Sequence, residues 1–360
     1  MKKWGQKAAG LCSAALTFAA VVCVLGRLSV LPPWDAAFTA AGFIMPGGAA
    51  EALWTDILEE DEEDDGASRT EPPSSAGSRP ASSVPENSSQ KSQNSSAANA
   101  QQGTVSTTQK ADVKEMSIVN TGVNYNNIWV KNSNKNHGID IPGELKKQPA
   151  VKIAKNAGPQ VLIYHTHTTE AFAGDTRSRD ASKSVVAVGE RIAAQLRAAG
   201  INTIHDTTLH DYPSYNGSYE RSKVTVLNNL KKYPSIQVAL DIHRDAMGTS
   251  GGTRIKPTAV VNGKKAAQVM IIAGCDDDGT LNHPNWEYNL RLAVRLQQSM
   301  ADLYPGLGRP LNFCNRKYNQ NLTKGSLLVE FGTEVNTLDE ATYSGELFGK
   351  ALAAVLNKLT

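Results

Sequence analysis

Histidine and carboxylate side chains follow three short apolar segments of the sequence, at the point where each segment ends. The apolar segments are residues 161–164, 238–242 and 327–329. The polar residues that follow them are His165, His167, Glu170, His243 and Glu330. Imidazole and carboxylate groups in sets of three are the protein ligands of catalytic zinc ions, which keep one position open for water. The pattern therefore predicts a site for zinc-assisted hydrolysis.

Within this set, Glu330 is predicted to be the general base. It follows a different segment from the histidine cluster, and a carboxylate that is not a ligand can take a proton from the attacking water. Asp241 lies inside an apolar segment two residues before His243. It is predicted to accept a hydrogen bond from an imidazole N–H, and the alternative is an ion pair with an arginine such as Arg244.

The elements that must position these residues alternate between strand and helix patterns. Strands are predicted over residues 161–164, 201–204, 238–242 and 327–331, and a hairpin over 258–261 and 268–273 around Asn262-Gly263. Helices are predicted over residues 185–199, 223–232, 286–304 and 345–359. This alternation predicts an α/β fold with a mainly parallel twisted sheet flanked by helices. In such sheets the reactive side chains collect at the carboxyl ends of the strands.

The first 34 residues are predicted to be a cytoplasmic tip and a transmembrane anchor. Lys2, Lys3 and Lys7 precede residues 8–26, which contain no charged residue. That length approaches the roughly 20 residues needed to span a bilayer. The lysines indicate a cytoplasmic N-terminus, so the rest of the chain is expected outside the membrane. A cleaved signal peptide is the alternative.

Residues 35–112 are predicted to be a juxtamembrane segment and a disordered linker, with an acidic run at 59–65 followed by Ser, Pro and Gln. Residues 113–158 are predicted to be a lead-in segment, and residues 159–360 a catalytic domain. The chain of 360 residues has a net charge of +2, but residues 111–360 carry an excess of Lys and Arg. Cys275 and Cys314 are predicted to be buried free thiols. The sequence lacks the basic helix that is typical of nucleic-acid binders. Its composition excludes collagen, coiled coils and disulfide-stapled mini-domains.

The chain resembles the stage II sporulation protein P family of cell-wall hydrolases. The matching segments are VLIYHTHTTEAF (161–172), SVVAVGERIAAQL (184–196), DIHRDA (241–246), NWEYNL (285–290), RKYNQNLTKGSLLVEFG (316–332) and NTLDEA (336–341). They span the region from about residue 116 to residue 360, and the apolar N-terminus and tether also match. The family in turn is similar to the zinc-dependent N-acetylmuramoyl-L-alanine amidases, which implies an amidase-like fold and a Zn²⁺ cofactor.

The resemblance to the amidases also implies roles for individual residues. It makes His167 the first zinc ligand, with His165 as the alternative, and His243 the second, with Glu330 as the catalytic glutamate. The amidases take a glutamate ligand a dozen or more residues after the first histidine, and that window contains no glutamate here. Glu170 is the predicted carboxylate ligand, and Asp180 is the alternative.

The resemblance implies that peptidoglycan is the substrate, at the amide between muramic acid and L-alanine, with the D,D cross-links as a second candidate bond. Arg244 is predicted to hold substrate carboxylates or phosphates, and Asn319 and Gln320 to line the groove, with a structural turn as the alternative for the latter two. The implied setting is septal wall thinning and engulfment at the membrane of sporulating cells, with the stage II sporulation proteins D and M as partners. The alternatives are another zinc peptidase, such as a carboxypeptidase, and a non-catalytic wall-binding scaffold.

Overall fold

A mixed α/β fold is formed by residues 112–154 and 157–360, which are the residues that a computed structural model of the chain describes. The predicted anchor at residues 1–34 and the predicted linker as far as residue 111 lie outside these residues. No helix in the described part of the chain combines the length and the apolar character needed to cross a membrane.

The strands of the described residues form two sheets. In chain order they are β1 (Val113–Met116), β2 (Val123–Tyr125), β3 (Ile128–Asn132), β4 (Val161–Tyr164), β5 (Thr203–His205), β6 (Val238–Asp245), β7 (Arg254–Val261), β8 (Lys264–Ala267), β9 (Val269–Gly274), β10 (Leu311–Cys314) and β11 (Ser326–Thr333). The main sheet has eight strands in the order β2–β3–β10–β9–β11–β6–β4–β5. It is mainly parallel, as predicted, since only the pairs β2–β3 and β9–β11 are antiparallel.

The second sheet has the order β1–β7–β8 and contains the predicted turn at Asn262-Gly263. Both turn residues have positive φ, at 49° and 75°, as a tight hairpin turn requires. The prediction that residues 268–273 form the return strand is wrong, because β8 forms it. Residues 269–274 are instead β9, whose side chains are all buried, as expected of a strand inside a covered sheet.

Helices cover both faces of the main sheet. They are α1 (Ile141–Lys146), α2 (Val185–Ala198), α3 (Ser218–Lys232), α4 (Trp286–Leu303) and α5 (Leu338–Leu356). Helix α5 begins well before the predicted residue 345, because Thr337 and Glu340 form a capping box that stabilises its first turn. Helix α3 likewise begins earlier than the predicted residue 223.

One large core lies between the main sheet and helices α2, α4 and α5. Phe331 of β11 and Phe348 of α5 meet edge to face in this core, with ring centroids 5.4 Å apart. Gly345 and Gly349 let α5 approach α2 closely, since a Cβ at Gly345 would stand 2.9 Å from Val188. The lead-in segment is built into the same body, because β2 and β3 form one end of the main sheet.

The capping box gives a testable expectation for stability. Replacing Thr337 by Ala removes the side chain that accepts the Glu340 N–H, so Thr337→Ala should lower the free energy of unfolding by about 1 kcal/mol. Urea denaturation of the full-length chain measures this change. Thr342→Ala is the matched control: it lies within the same helix, where alanine is the better helix former, and should cause no loss. Equal stability of Thr337→Ala and wild type would contradict the role assigned to the cap.

Candidate metal centre and active site

The parallel pairing of β4, β6 and β11 brings the predicted residues to one edge of the sheet. Strand β6 lies between the other two, with Tyr164 opposite Asp241 and Glu330 opposite His243. The segment after β4 therefore begins beside the end of β6. As a result, His167, Glu170 and His243 come together, with ligand atoms that all lie within 4.8 Å of one another.

Glu170 lies between the two imidazoles of this cluster. Its Oε1 is 3.3 Å from Nδ1 of His167, and its Oε2 is 3.5 Å from Nδ1 of His243. All three side chains are buried. Two imidazoles and a carboxylate converging in a buried site are the donor set of a catalytic zinc ion, so these residues fit that metal.

The second nitrogen of His243 faces Asp241. Nε2 lies 2.9 Å from Oδ1 of Asp241, which leaves Nδ1 directed toward Glu170. Asp241 is held in turn by Thr166, whose backbone N–H donates to Oδ1 at 2.8 Å and whose hydroxyl donates to Oδ2 at 2.6 Å. A carboxylate behind a ligating histidine fixes the orientation of the ring. Asp241 thus pairs with the imidazole by charge rather than with Arg244, although Nε2 lacks hydrogen-bond geometry.

The pKa values of His243 and Glu170 depend strongly on each other's charge. Burial alone would lower the pKa of His243, but the carboxylates of Asp241 and Glu170 raise that pKa well above its ordinary value. Burial also opposes ionisation of Glu170, yet His243 and a hydrogen bond from His167 hold the pKa of Glu170 well below its ordinary value. The carboxylates of Asp241 and Glu170 on either side of His243 therefore favour positive charge at this position.

Glu330 lies across from His243 on β11. Its Oε2 is buried and accepts no hydrogen bond from the described residues. Burial, and then the nearby carboxylates of Asp245 and Glu170, raise the pKa of Glu330 well above its ordinary value. A carboxylate with a raised pKa and a free acceptor atom beside a metal-type cluster is suited to proton transfer.

Two of the alternatives named above lie elsewhere. His165 is buried with Nδ1 2.9 Å from the carbonyl oxygen of Ile242 and Nε2 2.9 Å from Nε2 of His205. Burial, and then His205, lower its pKa to about 3, so His165 is a neutral packing residue. Asp180 is exposed, and its carboxylate accepts hydrogen bonds from Ser182. In the described residues, the cluster contains neither His165 nor Asp180.

The residues predicted to bind substrate bond instead to the protein itself. The Arg244 side chain donates to the carbonyl oxygens of Ala171 and Thr176. Asn319 donates to the carbonyl oxygen of Tyr219, and Gln320 bonds to β9 through the backbone of Ile272 and Gly274. These contacts match the alternative of a structural turn for Asn319 and Gln320. The backbone N–H of Arg244, however, donates to Glu170 and so supports the cluster.

A second cluster with metal-type donors contains His137, Cys275 and Asp277. The Asp277 carboxylate accepts the backbone N–H groups of residues 135–137 and the contact from Nδ1 of His137. These bonds clamp a loop and occupy both carboxylate oxygens. Cys275 and Cys314 are buried and are not joined in a disulfide, as predicted.

The comparison with protein families decides the family of the chain. The model of the family described as Stage II sporulation protein P (SpoIIP) matches residues 56–353. The chain belongs to this family. Stage II sporulation protein P of Bacillus subtilis (strain 168) is 32% identical over 200 residues, which cover 50% of this chain and 47% of that protein. The chain thus spans about half the length of this curated relative.

Solved structures of amidases share a slighter likeness. The N-acetylmuramoyl-L-alanine amidase AmiC2 of Nostoc punctiforme is 14% identical, with a TM-score of 0.34, and the match covers 56% of this chain and 96% of that one. The CwlD amidase from Clostridioides difficile, solved with the GerS lipoprotein, is 12% identical with a TM-score of 0.36, over 56% of this chain and 98% of that one.

Two groups beside the cluster were missed from the sequence. The ring of Tyr215 stacks on His167, with centroids 4.4 Å apart, and the Arg177 guanidinium lies 4.5 Å from the Tyr215 ring. Near Glu330, the almost fully buried Arg309 pairs with Asp245 at 2.8 Å. Tyr215 and Arg309 come from loops whose paths the strand pattern does not define. In the sequence, the only indication of Arg309 is its ion-pair partner Asp245, which ends the DIHRD segment.

The charge balance of the cluster can be tested on metal-free protein. Asp241→Asn should lower the pKa of His243, because it removes the carboxylate that most raises that pKa. An NMR titration of the imidazole in a chelator measures the change, with the exposed Asp180→Asn as the matched control. In wild type, the raised pKa of His243 stabilises the metal-free fold at pH values below about 6.5, the ordinary pKa of histidine. This contribution is lost as the pH rises through the raised pKa. An unchanged pKa in Asp241→Asn would refute the pairing.

Proposed function

We propose that this protein is a zinc-dependent peptidoglycan hydrolase that cleaves the amide between muramic acid and L-alanine. The observation that carries the proposal is the buried cluster of His167, Glu170 and His243 with Glu330 on the adjacent strand. Membership of the SpoIIP family supports a role in sporulation. D,D cross-links are a second candidate bond, since their cleavage is also amide hydrolysis.

The donor atoms of His167, Glu170 and His243 would hold the metal. A bound Zn²⁺ supplies Lewis acidity and lowers the pKa of a water molecule to about 7. Asp241 fixes the His243 ring from behind, so that Nδ1 stays directed toward the centre of the cluster. Thr166 fixes Asp241 and thereby the whole ligand segment after β4.

Glu330 provides the proton transfer in this scheme. Its buried Oε2 takes the proton from the attacking water and returns it to the nitrogen of the leaving L-alanine. The raised pKa of Glu330 favours both steps, since a carboxylate that holds a proton more firmly is the better base and can still act as an acid. General acid–base catalysis of this kind contributes about 10²–10⁴-fold to a rate.

The remaining parts of the function follow from the predicted arrangement of the chain. The predicted anchor and linker would place residues 112–360 outside the membrane, within reach of the septal wall. The excess of Lys and Arg in this region suits a polyanionic wall. The stage II sporulation proteins D and M are the proposed partners in wall thinning during engulfment.

Digestion of purified peptidoglycan tests the proposal. Wild type, His243→Ala and Glu330→Gln are compared by mass spectrometry of the products and by the bound zinc. Release of free stem peptides by wild type is expected, with zinc lost in His243→Ala but retained in Glu330→Gln, which should lose about 10²–10⁴-fold in kcat. The exposed Glu287→Gln is the matched control and should act as wild type. Shortened cross-links would assign D,D-endopeptidase activity, removal of single terminal residues a carboxypeptidase, and no product a wall-binding scaffold.

The pH dependence of the reaction provides a separate test of Glu330. If ionised Glu330 is the base, kcat/KM rises as the pH increases through its pKa. Asp245 is the nearby carboxylate that most raises this pKa, so Asp245→Asn should shift the acid limb of the profile to lower pH. Release of Arg309 from its ion pair acts in the same direction. The exposed Asp278→Asn serves as the control, and a shift to higher pH would count against Glu330 as the base.

A further inference from the structure

A continuous row of residues crosses the main sheet at the level of Glu330. On β11, Glu330 lies opposite His243 of β6 on one side and Met270 of β9 on the other. Gly308, in the loop that leads into β10, pairs with Val269 of β9. The row therefore runs from the metal-type cluster across β9 toward β10 and β3.

Trp129 stands at the far end of this row. Leu311 of β10 pairs with Val130 of β3, which places Trp129 beside Pro310. Ile128 and Val130 are fully buried in the large core, so the intervening Trp129 points to the opposite face of the sheet. Since Glu330 lies between two strand residues of the same core, Glu330 and Trp129 project from the same face of the sheet.

A cavity of about 340 Å³ lies beside Trp129. Its lining residues include no charged residue, and four of them have side-chain amides: Asn120, Asn126, Asn127 and Gln297. A volume near 300 Å³ is at the lower end of the range for small-ligand sites. An uncharged site with an aromatic ring and several amides suits a neutral ligand that has both apolar C–H faces and hydrogen-bonding groups.

Gln297 of α4 is a lining residue that reaches the cavity from the core side of the sheet. Its side chain is only 4% exposed, and its Nε2 donates to the carbonyl oxygen of Arg309 at 2.8 Å. Its Oε1 is buried and accepts no hydrogen bond from the described residues. A buried acceptor without a partner is costly to the fold.

We propose that Trp129 and this cavity bind an uncharged N-acetylated sugar of the glycan strand, away from the amide that is cleaved. The inference rests on the proposed peptidoglycan substrate and names a subsite for it. The three strand spacings between β11 and β3 put the two positions about 14 Å apart. The sugar at Trp129 is therefore a neighbour of the muramic acid that carries the scissile bond. The protein would thus bind the glycan strand at two points.

Binding of a peptide-free sugar oligomer to the full-length chain tests the subsite. The probe is the β-1,4-linked tetramer of N-acetylglucosamine, and Glu330→Gln is the parent, so that hydrolysis cannot interfere. Calorimetry should show that Trp129→Ala weakens binding about tenfold, or about 1.4 kcal/mol. Trp129→Phe, which keeps an aromatic ring, should retain most of the affinity. The control is Leu303→Ala, an exposed residue of α4 outside the cavity lining, which should bind as the parent does.

The outcomes separate this inference from the proposed function. Equal affinity of Trp129→Ala and its parent, or absence of binding to the parent, overturns the subsite even where wild type still opens amide bonds. Sugar binding that depends on Trp129 supports the subsite, and it does so even if wild type releases no peptide, in which case the hydrolase proposal fails instead. Circular dichroism of Trp129→Ala distinguishes loss of binding from loss of folding, and Trp129→Phe preserves the test if the alanine variant does not fold.

Discussion

The buried carboxylate of Glu170 is the interaction on which the candidate site depends. It joins the segment after β4 to the end of β6, because its two oxygens face one imidazole from each, and Oε2 also accepts the backbone N–H of Arg244. An ionised carboxylate in such a buried position is stable only beside positive charge and hydrogen-bond donors. The parallel register of β4 and β6 supplies both, and the register in turn depends on the core beneath α2 and α5.

Support for the site extends behind the ligands in layers. Asp241 orients His243, Thr166 holds Asp241, and Ser222 of α3 lies 2.7 Å from the Thr166 hydroxyl. On the other side, Asp211 accepts hydrogen bonds from the Thr169 backbone and side chain and pairs with Arg177. The segment after β4 is therefore fixed from two directions, which gives the preorganisation that the proposed metal binding and proton transfer require.

The sequence was sufficient to predict the strands that end at the site, because apolar runs followed by His or Glu have no simpler explanation than a shared sheet edge. It could not separate His165 from His167, since that choice depends on His205, which reaches His165 from β5. The direction of β9 was equally hidden, because a fully buried strand looks the same in either orientation. Tyr215 and Arg309 lie in loops, and Arg309 is placed by an ion pair with a residue distant in sequence.

The reversal of β9 changes which loops share the edge that carries the metal-type cluster. In a wholly parallel sheet, the loops that enter the strands lie at the opposite edge from the loops that leave them. Here β9 runs against β11, and β10 and β3 follow β9, so the loops that enter these three strands lie alongside those that leave β4, β6 and β11. Mutation can therefore remodel the loops that enter β9, β10 and β3 while the loops that carry the metal-type cluster stay unchanged. The two sets of loops at this edge are thus structurally independent of one another.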